Sequence, residues 1–245
     1  MITRQHIVFV ILFMPIASKA QHTTVHTNMF WTGYYNTIHF NKKWSLINDA
    51  QLRTRDWTNK WSQLLIRSGL NYSFNDHITV TGGFAFFKNV QYVEKQLFLK
   101  NEWRPWQEVS YKVKLNKKNF TQRIRTEQRF LQQLVNNNLT KTYQYIFRFR
   151  YRFDILLPLQ ENLKIAMGNE VLANPHFINT KSFFDQDRIF AGVNYKLTDH
   201  TSLQLQYLKI FQWHSNTSIL ENENVFRVNI LQQFSIKDHK SKINF

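Results

Sequence analysis

The segment FRFRYRFD, from Phe147 to Asp154, alternates aromatic and charged side chains without a break. Its odd-numbered positions carry Phe, Phe, Tyr and Phe, and its even-numbered positions carry Arg, Arg, Arg and Asp. Successive side chains of a β-strand point to opposite faces, so this segment would have one aromatic face and one charged face. An aromatic face suits a bilayer and its interfaces, and a row of arginines suits a closed, wet interior. The stretch therefore predicts a strand of a transmembrane β-barrel.

The same two-residue period recurs along the chain. From Ile189 to Leu197, for example, Ile, Ala, Val, Tyr and Leu alternate with Phe, Gly, Asn and Lys. Such segments are typical of strands with one apolar face and one polar face. Phe30–Phe40 has the character of one further strand, and because bacterial barrels use even numbers of strands, ten or twelve are expected. The ten clearest predicted strands lie at residues 43–57, 61–74, 77–87, 100–115, 119–131, 142–157, 161–173, 185–198, 201–213 and 223–236.

The polar connections between these segments are of two lengths. Outer-membrane barrels have such an alternation, with tight periplasmic turns and longer outer loops. A secreted, soluble β-sandwich is the alternative, because its strands also alternate. Strand length, the aromatic outer face and the aligned arginines favour an all-β fold, a single antiparallel transmembrane β-barrel of 10–12 strands. Short turns are predicted at residues 74–77, 116–119, 158–162 and 197–200, and longer loops near residues 88–100, 132–141, 174–184 and 214–223.

The first residues have the composition of an export signal. A basic residue precedes an apolar core at Ile7–Ala17, and small residues end it, so cleavage after Ala20 would leave Gln21 as the first residue. Retention as an uncleaved anchor is the alternative, but the apolar run is shorter than the roughly 20 residues of a spanning helix. We therefore expect a signal peptide at residues 1–20, an outer-membrane barrel domain at residues 21–245, and export to the bacterial outer membrane.

The chain is strongly basic and lacks cysteine. Lys and Arg total 32 against 16 Asp and Glu, a formal net charge of +16 over 245 residues. Such an excess suggests anionic partners, and the export signal argues against nucleic acid. The expected partners are outer-membrane lipids and lipopolysaccharide and the barrel assembly machinery, and a small anionic solute is left open. Without Cys, neither a lipid-anchored cysteine nor a disulfide framework is expected.

Charged residues collect on the face that would line the barrel. The hairpin at residues 158–162 would place Glu170 within cross-strand reach of Arg150 or its neighbour. Arginine suits this arrangement because its planar fork can bind two carboxylates and does not lose its charge. The predicted interior charge network consists of Arg53, Arg55, Arg67, Glu102, Arg104, Glu108, Arg123, Arg125, Glu127, Arg129, Arg148, Arg150, Arg152, Asp154, Glu170 and Arg188.

This network has two interpretations. Small barrels fill their interiors with side chains, so the charges can form a structural network that satisfies itself. Arginines outnumber carboxylates among these residues, so the interior can also bind or select anions. A structural or narrow-pore protein of the envelope is the function expected first, and an anion-binding or anion-selective channel is the alternative.

Catalytic and cofactor sites are not expected. Some small outer-membrane barrels are lipid hydrolases with a His and a Ser two apart on one strand, and QWHSNTS (Gln212–Ser218) invites that comparison. His214 and Ser215 are adjacent, however, so on a strand they would point to opposite faces. The nine His are scattered and there is no Gly-rich phosphate loop, so no catalytic residue, metal or cofactor is assigned. An envelope enzyme acting on lipids and a soluble periplasmic binder remain alternatives.

Several segments resemble a family of exported bacterial proteins. In order they are NEWRPWQEVSYKVKL, YIFRFRYRFDILLPL, GNEVLAN, FDQDRIFAGVNYKLTDHTSLQLQYL and VFRVNILQQFSI. Over about residues 30–236 the chain is similar to the family of domain of unknown function 2490. The most specific parts are R-x-R-x-E-x-R at Arg123–Arg129 and D-Q-D-R-x-x-x-G-V-x-Y at Asp185–Tyr195. The resemblance implies an outer-membrane β-barrel and carries no established activity.

Overall fold

The computed structural model describes residues 23–94, 96–175, 183–213 and 219–236. None of these residues forms a helix long and apolar enough to cross a membrane. Within them, eleven β-strands close into one barrel. The strands are β1 (Thr23–His39), β2 (Trp44–Arg55), β3 (Lys60–Ser73), β4 (Ile78–Val93), β5 (Gln96–Leu115), β6 (Lys118–Val135), β7 (Asn138–Pro158), β8 (Leu163–Ala173), β9 (Phe184–Lys196), β10 (Thr201–Trp213) and β11 (Ile219–Ser235).

The first and last strands close the barrel in parallel. Consecutive strands pair antiparallel, whereas β1 pairs with β11 in one unbroken register from Thr23 opposite Ile219 to His39 opposite Ser235. The count over the described residues falls within the predicted range of 10–12 but is odd, not ten or twelve. With an odd number of alternating strands, the first and the last run in the same direction, so the closing pair must be parallel.

The two ends of the barrel differ in their connections. At one end, called here the short-turn end, the strands are joined at residues 40–43, 74–77, 116–117, 159–162 and 197–200. At the opposite end, called the loop end, the connections span residues 56–59, 94–95, 136–137, 174–183 and 214–218.

The longer loops predicted near residues 88–100 and 132–141 are mostly strand. β4 continues to Val93, and β6 and β7 are separated by two residues only, Asn136 and Asn137. Both asparagines have positive φ, 49° and 57°, which is the backbone of a tight two-residue hairpin turn that Asn adopts readily. The polar side chains in these stretches therefore belong to long hairpins.

Alternation sorts side chains to the two faces of the wall. Phe149 is 36% exposed on the outside, whereas its neighbour Arg148 is 7% exposed and faces the interior. The outer aromatic rings pack across strands, as Phe120 does on Phe153 with a centroid distance of 6.3 Å. Cross-strand pairs of this kind stabilise a β-sheet.

Polar residues that interrupt the outer face bind one another. The hydroxyl of Thr126 and the amide of Gln128 each donate to Oε1 of Gln107 at 3.0 Å. The Nζ of Lys209 donates to Oδ1 of Asn224 at 2.7 Å. These lateral bonds satisfy polar groups that would otherwise be costly on an apolar surface.

The interior contains apolar groups as well as charges. Leu65, Ala85, Phe87 and Trp106 form a buried cluster on the inner face of β3, β4 and β5. A second inward cluster, on the strands near the closing pair, consists of Met29, Trp31, Phe190, Leu208, Ile210 and Val225. These side chains narrow the interior, and the sequence reasoning, which assigned apolar residues to the outer face, missed them.

Trp106 fits inside the wall because glycines face it. A Cβ at Gly83 would lie 2.5 Å from Cζ2 of Trp106, and a Cβ at Gly69 would lie 2.6 Å from the same atom. Gly82, the next residue along β4, has no atom within 4 Å of the position its Cβ would take. The two neighbouring glycines therefore differ in what a methyl group would meet.

Gly83→Ala should destabilise the barrel by about 1–3 kcal/mol, because the added methyl would overlap the backbone carbonyl oxygen of Ser68 and the indole of Trp106. Gly82→Ala should change stability by less than about 1 kcal/mol, with any effect favouring the folded state, since glycine is entropically costly in a strand. Urea unfolding of both variants in lipid vesicles measures the difference. Equal destabilisation by the two substitutions would contradict the close packing described around Gly83.

Candidate functional site: the charged interior of the barrel

A cavity of about 910 Å³ occupies the interior. Its lining extends from Thr79 and Lys112 near the short-turn end to Arg55 and Trp213, the last residues of β2 and β10, at the loop end. Twelve basic residues line it against seven acidic ones, an excess of five positive charges. The basic residues are Arg53, Arg55, Arg67, Arg104, Lys112, Arg123, Arg129, Arg148, Arg150, Arg152, Arg188 and Arg227, and the acidic ones are Glu108, Glu127, Asp154, Glu170, Asp185, Glu221 and Glu223.

Arg150 joins two of the most enclosed carboxylates of the interior. One terminal nitrogen of its guanidinium lies 2.6 Å from Oε1 of Glu127 on β6, and the other lies 2.7 Å from Oε1 of Glu170 on β8. The side chains of Glu127 and Glu170 are 2% and 3% exposed. Because the planar fork presents donors in fixed directions, one arginine on β7 binds acceptors from both neighbouring strands.

A connected network extends from this contact across β5 to β9. Glu102 binds Arg104 at 2.5 Å and Arg129 at 2.7 Å, and Arg104 reaches Glu127 at 2.9 Å. On the other side of Glu127, Glu108 binds Arg125 at 2.6 Å.

Glu170 binds arginines from three strands. In addition to Arg150 it binds Arg123 of β6 at 2.7 Å and Arg188 of β9 at 3.4 Å. Arg123 also lies 3.4 Å from Glu108 and so closes the network. The ten members, four Glu and six Arg, are Glu102, Arg104, Glu108, Arg123, Arg125, Glu127, Arg129, Arg150, Glu170 and Arg188.

Arg148 has a different partner, which a β-bulge supplies. The β8–β9 register shifts between Leu172 and Ala173, leaving Asp185 as an extra residue on β9. Asp185 thereby lines the cavity, and its Oδ2 lies 2.5 Å from Arg148. A bulge turns a side chain to the face it would not otherwise occupy.

Arg152 pairs within its own strand. Glu170 is directly opposite Arg152 in the β7–β8 register, yet the guanidinium binds Asp154 at 2.5 Å and lies 4.4 Å from the ring centroid of Phe190. Glu170 is bound instead by the three arginines described above.

The remaining predicted residues lie on β2 and β3. Arg67 binds Asp49 at 2.7 Å, and Arg55 forms an ion pair with Glu221. Arg53 donates to the amide oxygens of Gln63 at 2.8 Å and Gln51 at 2.9 Å.

Sequence reasoning left several interior residues out of the network. Asp49 shares the odd-numbered face of β2 with Arg53, and Arg227 alternates with the outward Phe226, so strand parity could have found both. Asp185 could not be found by parity because it belongs to the bulge. Glu221 and Glu223 lie near the start of β11, where a longer loop was expected.

The described part of the chain holds no group of three His, Cys, Asp or Glu side chains arranged to bind a metal ion. His214 and Ser215, which are adjacent in the sequence, lie outside the described residues, as does the expected signal peptide.

A closed β-barrel with a charged interior is the class of protein that this fold and cavity define. The chain belongs to the family described as "Protein of unknown function (DUF2490)", whose model matches residues 28–221. A solved porin structure, "NanC porin structure in rhombohedral crystal form", is similar at 11% identity and a TM-score of 0.50, over 83% of this chain and 98% of that one. That similarity is one of fold. A search of curated proteins found no match.

The Arg150–Glu170 contact should show strong thermodynamic coupling. Glu170→Gln leaves three arginines without their shared carboxylate, and breaking a buried pair costs about 3–5 kcal/mol. In a double-mutant cycle with Arg150→Gln, we expect a coupling energy of about 1–3 kcal/mol from urea unfolding in lipid vesicles.

The control cycle uses the surface pair Asp56–Lys60, 2.7 Å apart and about half exposed. Exposed pairs contribute about 0.2–1 kcal/mol, so Asp56→Asn and Lys60→Gln should be nearly additive. Coupling no larger for Arg150–Glu170 than for this pair would rule out the network as a stabilising unit.

Proposed function

We propose that this protein is a non-enzymatic outer-membrane β-barrel whose interior is a narrow, basic pore for small anions. The observation that carries the proposal is a cavity lined by residues from both ends of the barrel, with five more basic than acidic side chains. Rings of arginine favour anions in pores, because fixed positive charge replaces the water that an anion gives up. The likeness in fold to a porin agrees with this proposal.

An outer-membrane location is supported by the outer face of the wall. Large apolar side chains are exposed on it from many strands, among them Ile66, Trp103, Phe149, Ile189 and Tyr207. A soluble protein rarely exposes apolar surface on this scale, whereas membrane lipid covers it. In this proposal residues 1–20 are removed on export, the barrel assembly machinery inserts residues 21–245, and lipids and lipopolysaccharide surround the wall.

A structural barrel without conduction is the second candidate. It is favoured by the ten-residue network and by the two inward apolar clusters. Small barrels of this kind are packed with side chains. The two candidates differ in one measurable property, the passage of ions.

Single-channel recording in planar bilayers tests the proposal. We expect small conductance steps. Under a KCl gradient, we expect the reversal potential to be displaced from zero toward the equilibrium potential of chloride. Lys112→Glu, which reverses a cavity-lining charge near the short-turn end, should lower the chloride preference, because it reduces the positive excess. Gln128→Ala, on the outer face, is the matched control and should leave the preference unchanged.

Two results would contradict the pore. An electrically silent protein that has been shown to be folded, by its heat-modifiable migration in gels, would favour the structural barrel. Cation selectivity would contradict the assigned role of the arginines.

A further inference from the structure

The interior charges are unevenly compensated around the barrel. From β5 to β9 every arginine of the interior is within ion-pair distance of a carboxylate. On the opposite wall, Arg53 of β2 and Arg227 of β11 have no carboxylate within 4.0 Å among the described residues. Their terminal nitrogens donate to neutral amides instead, those of Gln51 and Gln63 for Arg53 and that of Gln206 for Arg227.

The two arginines are neighbours because of the way the barrel closes. Trp31 of β1 is directly opposite Arg53 in the antiparallel register with β2, and directly opposite Arg227 in the parallel register with β11. Adjacent strands lie about 4.8 Å apart, so the two Cα atoms are separated by about 10 Å across β1. The guanidinium of Arg53 lies over the Trp31 ring, 4.1 Å from its centroid.

Three unpartnered donors lie at this place. The Nε of Arg53, the Nε of Arg227 and the indole Nε1 of Trp31 are buried and have no hydrogen-bond acceptor in the part of the chain that the structure describes. The Nε–H and one terminal N–H make up a bidentate edge of a guanidinium, so each arginine has an edge with a free donor. Buried cationic donors without an acceptor are costly, and an anion would supply the acceptors.

The wall around these arginines is close-packed. A Cβ at Gly33 of β1 would lie 2.8 Å from Oδ1 of Asn229, so glycine is what allows this amide to approach the strand. Trp31, Arg53, Arg227 and the amides of Gln51 and Gln63 all line the cavity or border it directly. A solute that enters the cavity can therefore reach this wall.

We propose that Arg53 and Arg227, on either side of Trp31, form a binding site for an oxyanion group, the carboxylate or phosphate of a small solute. An oxyanion presents two oxygens to the planar guanidinium and can accept two parallel hydrogen bonds from it. Chloride is a single atom and cannot be bound in this bidentate way. The site rests on the proposed pore, because the pore is the route by which the solute would reach it. It goes beyond that proposal by locating the site and by naming the chemical class of the solute.

Calorimetric titration of the folded, full chain in detergent tests the site without requiring conduction. Acetate, inorganic phosphate and chloride are the probes, at constant ionic strength. We expect at least one of the two oxyanions to bind about tenfold or more tightly than chloride, and Arg53→Gln and Arg227→Gln each to weaken that binding by about tenfold or more. The preferred oxyanion, acetate or phosphate, identifies which group the site takes.

Arg152→Gln is the matched control. It also removes one cavity-lining positive charge, but from an arginine that already has a carboxylate partner, so oxyanion affinity should change by no more than about twofold. Arg53→Lys and Arg227→Lys keep the charge without the fork and should bind oxyanions more weakly than the native chain. These lysine variants also serve if a glutamine variant fails to fold, which gel migration reveals.

Two results would overturn the site. One is an equal weakening of oxyanion binding by Arg152→Gln, which would mean that binding depends only on the net charge of the interior. The other is the absence of oxyanion binding by the native chain, and if bilayer recordings still give anion-selective current, the pore survives while this site does not. Arginine-dependent binding by an electrically silent protein would instead support the site and contradict the pore.

Discussion

Arg150 lies between Glu127 and Glu170 and joins β6, β7 and β8 through a single guanidinium group. Both carboxylates are nearly fully enclosed, so neither can rely on bulk water, and each requires fixed cations. The other members of the ten-residue network satisfy that requirement from β5 to β9. The constraint that enclosed charges must find partners thus dictates which residues occupy this half of the interior.

The other half of the interior has a different character, and the parallel closure of the barrel explains why. Since β1 and β11 run in the same direction in one unbroken register, Arg227 is brought beside Trp31 at the same level as Arg53. Glutamine amides accept hydrogen bonds from these arginines in place of carboxylates. In one wall of the barrel every arginine has a carboxylate partner, whereas in the other wall Arg53 and Arg227 are bound by neutral amides.

Strand positions were largely predictable from the sequence, because the two-residue period depends only on neighbouring residues. β10 was predicted at 201–213 and is found at Thr201–Trp213, and β8 was predicted at 161–173 and is found at Leu163–Ala173. The length of the β6–β7 hairpin, which turns at Asn136–Asn137, was not predictable. Its strands carry Asn, Gln and Lys, residues that are equally common in loops. The strand count was expected to be even from general experience of such barrels, and no local pattern reports on how a sheet closes.

Inside the barrel, the alternation of side chains along a strand shows which face a side chain occupies but not which residue it binds. Arg148 and Arg152 share a face with Arg150, yet they bind Asp185 and Asp154 and not the glutamates. For Arg148 the reason is the bulge at Asp185, which no alternation predicts. The motif that contains Asp185 and Arg188 supplies two interior charges, one from the bulge itself and one from the regularly paired part of β9, which gives the motif a structural role.

Reactivity of single cysteines tests most directly whether the interior is open to anions. The chain has no native cysteine, and Ser110 lines the cavity while its neighbour Val109 is exposed on the outer face. In the folded barrel in vesicles, S110C should react with a negatively charged thiosulfonate faster than with a positively charged one. V109C should react only with a membrane-soluble maleimide. An S110C variant that is inert to both charged reagents, or that reacts faster with the cation, would contradict a basic interior open to anions.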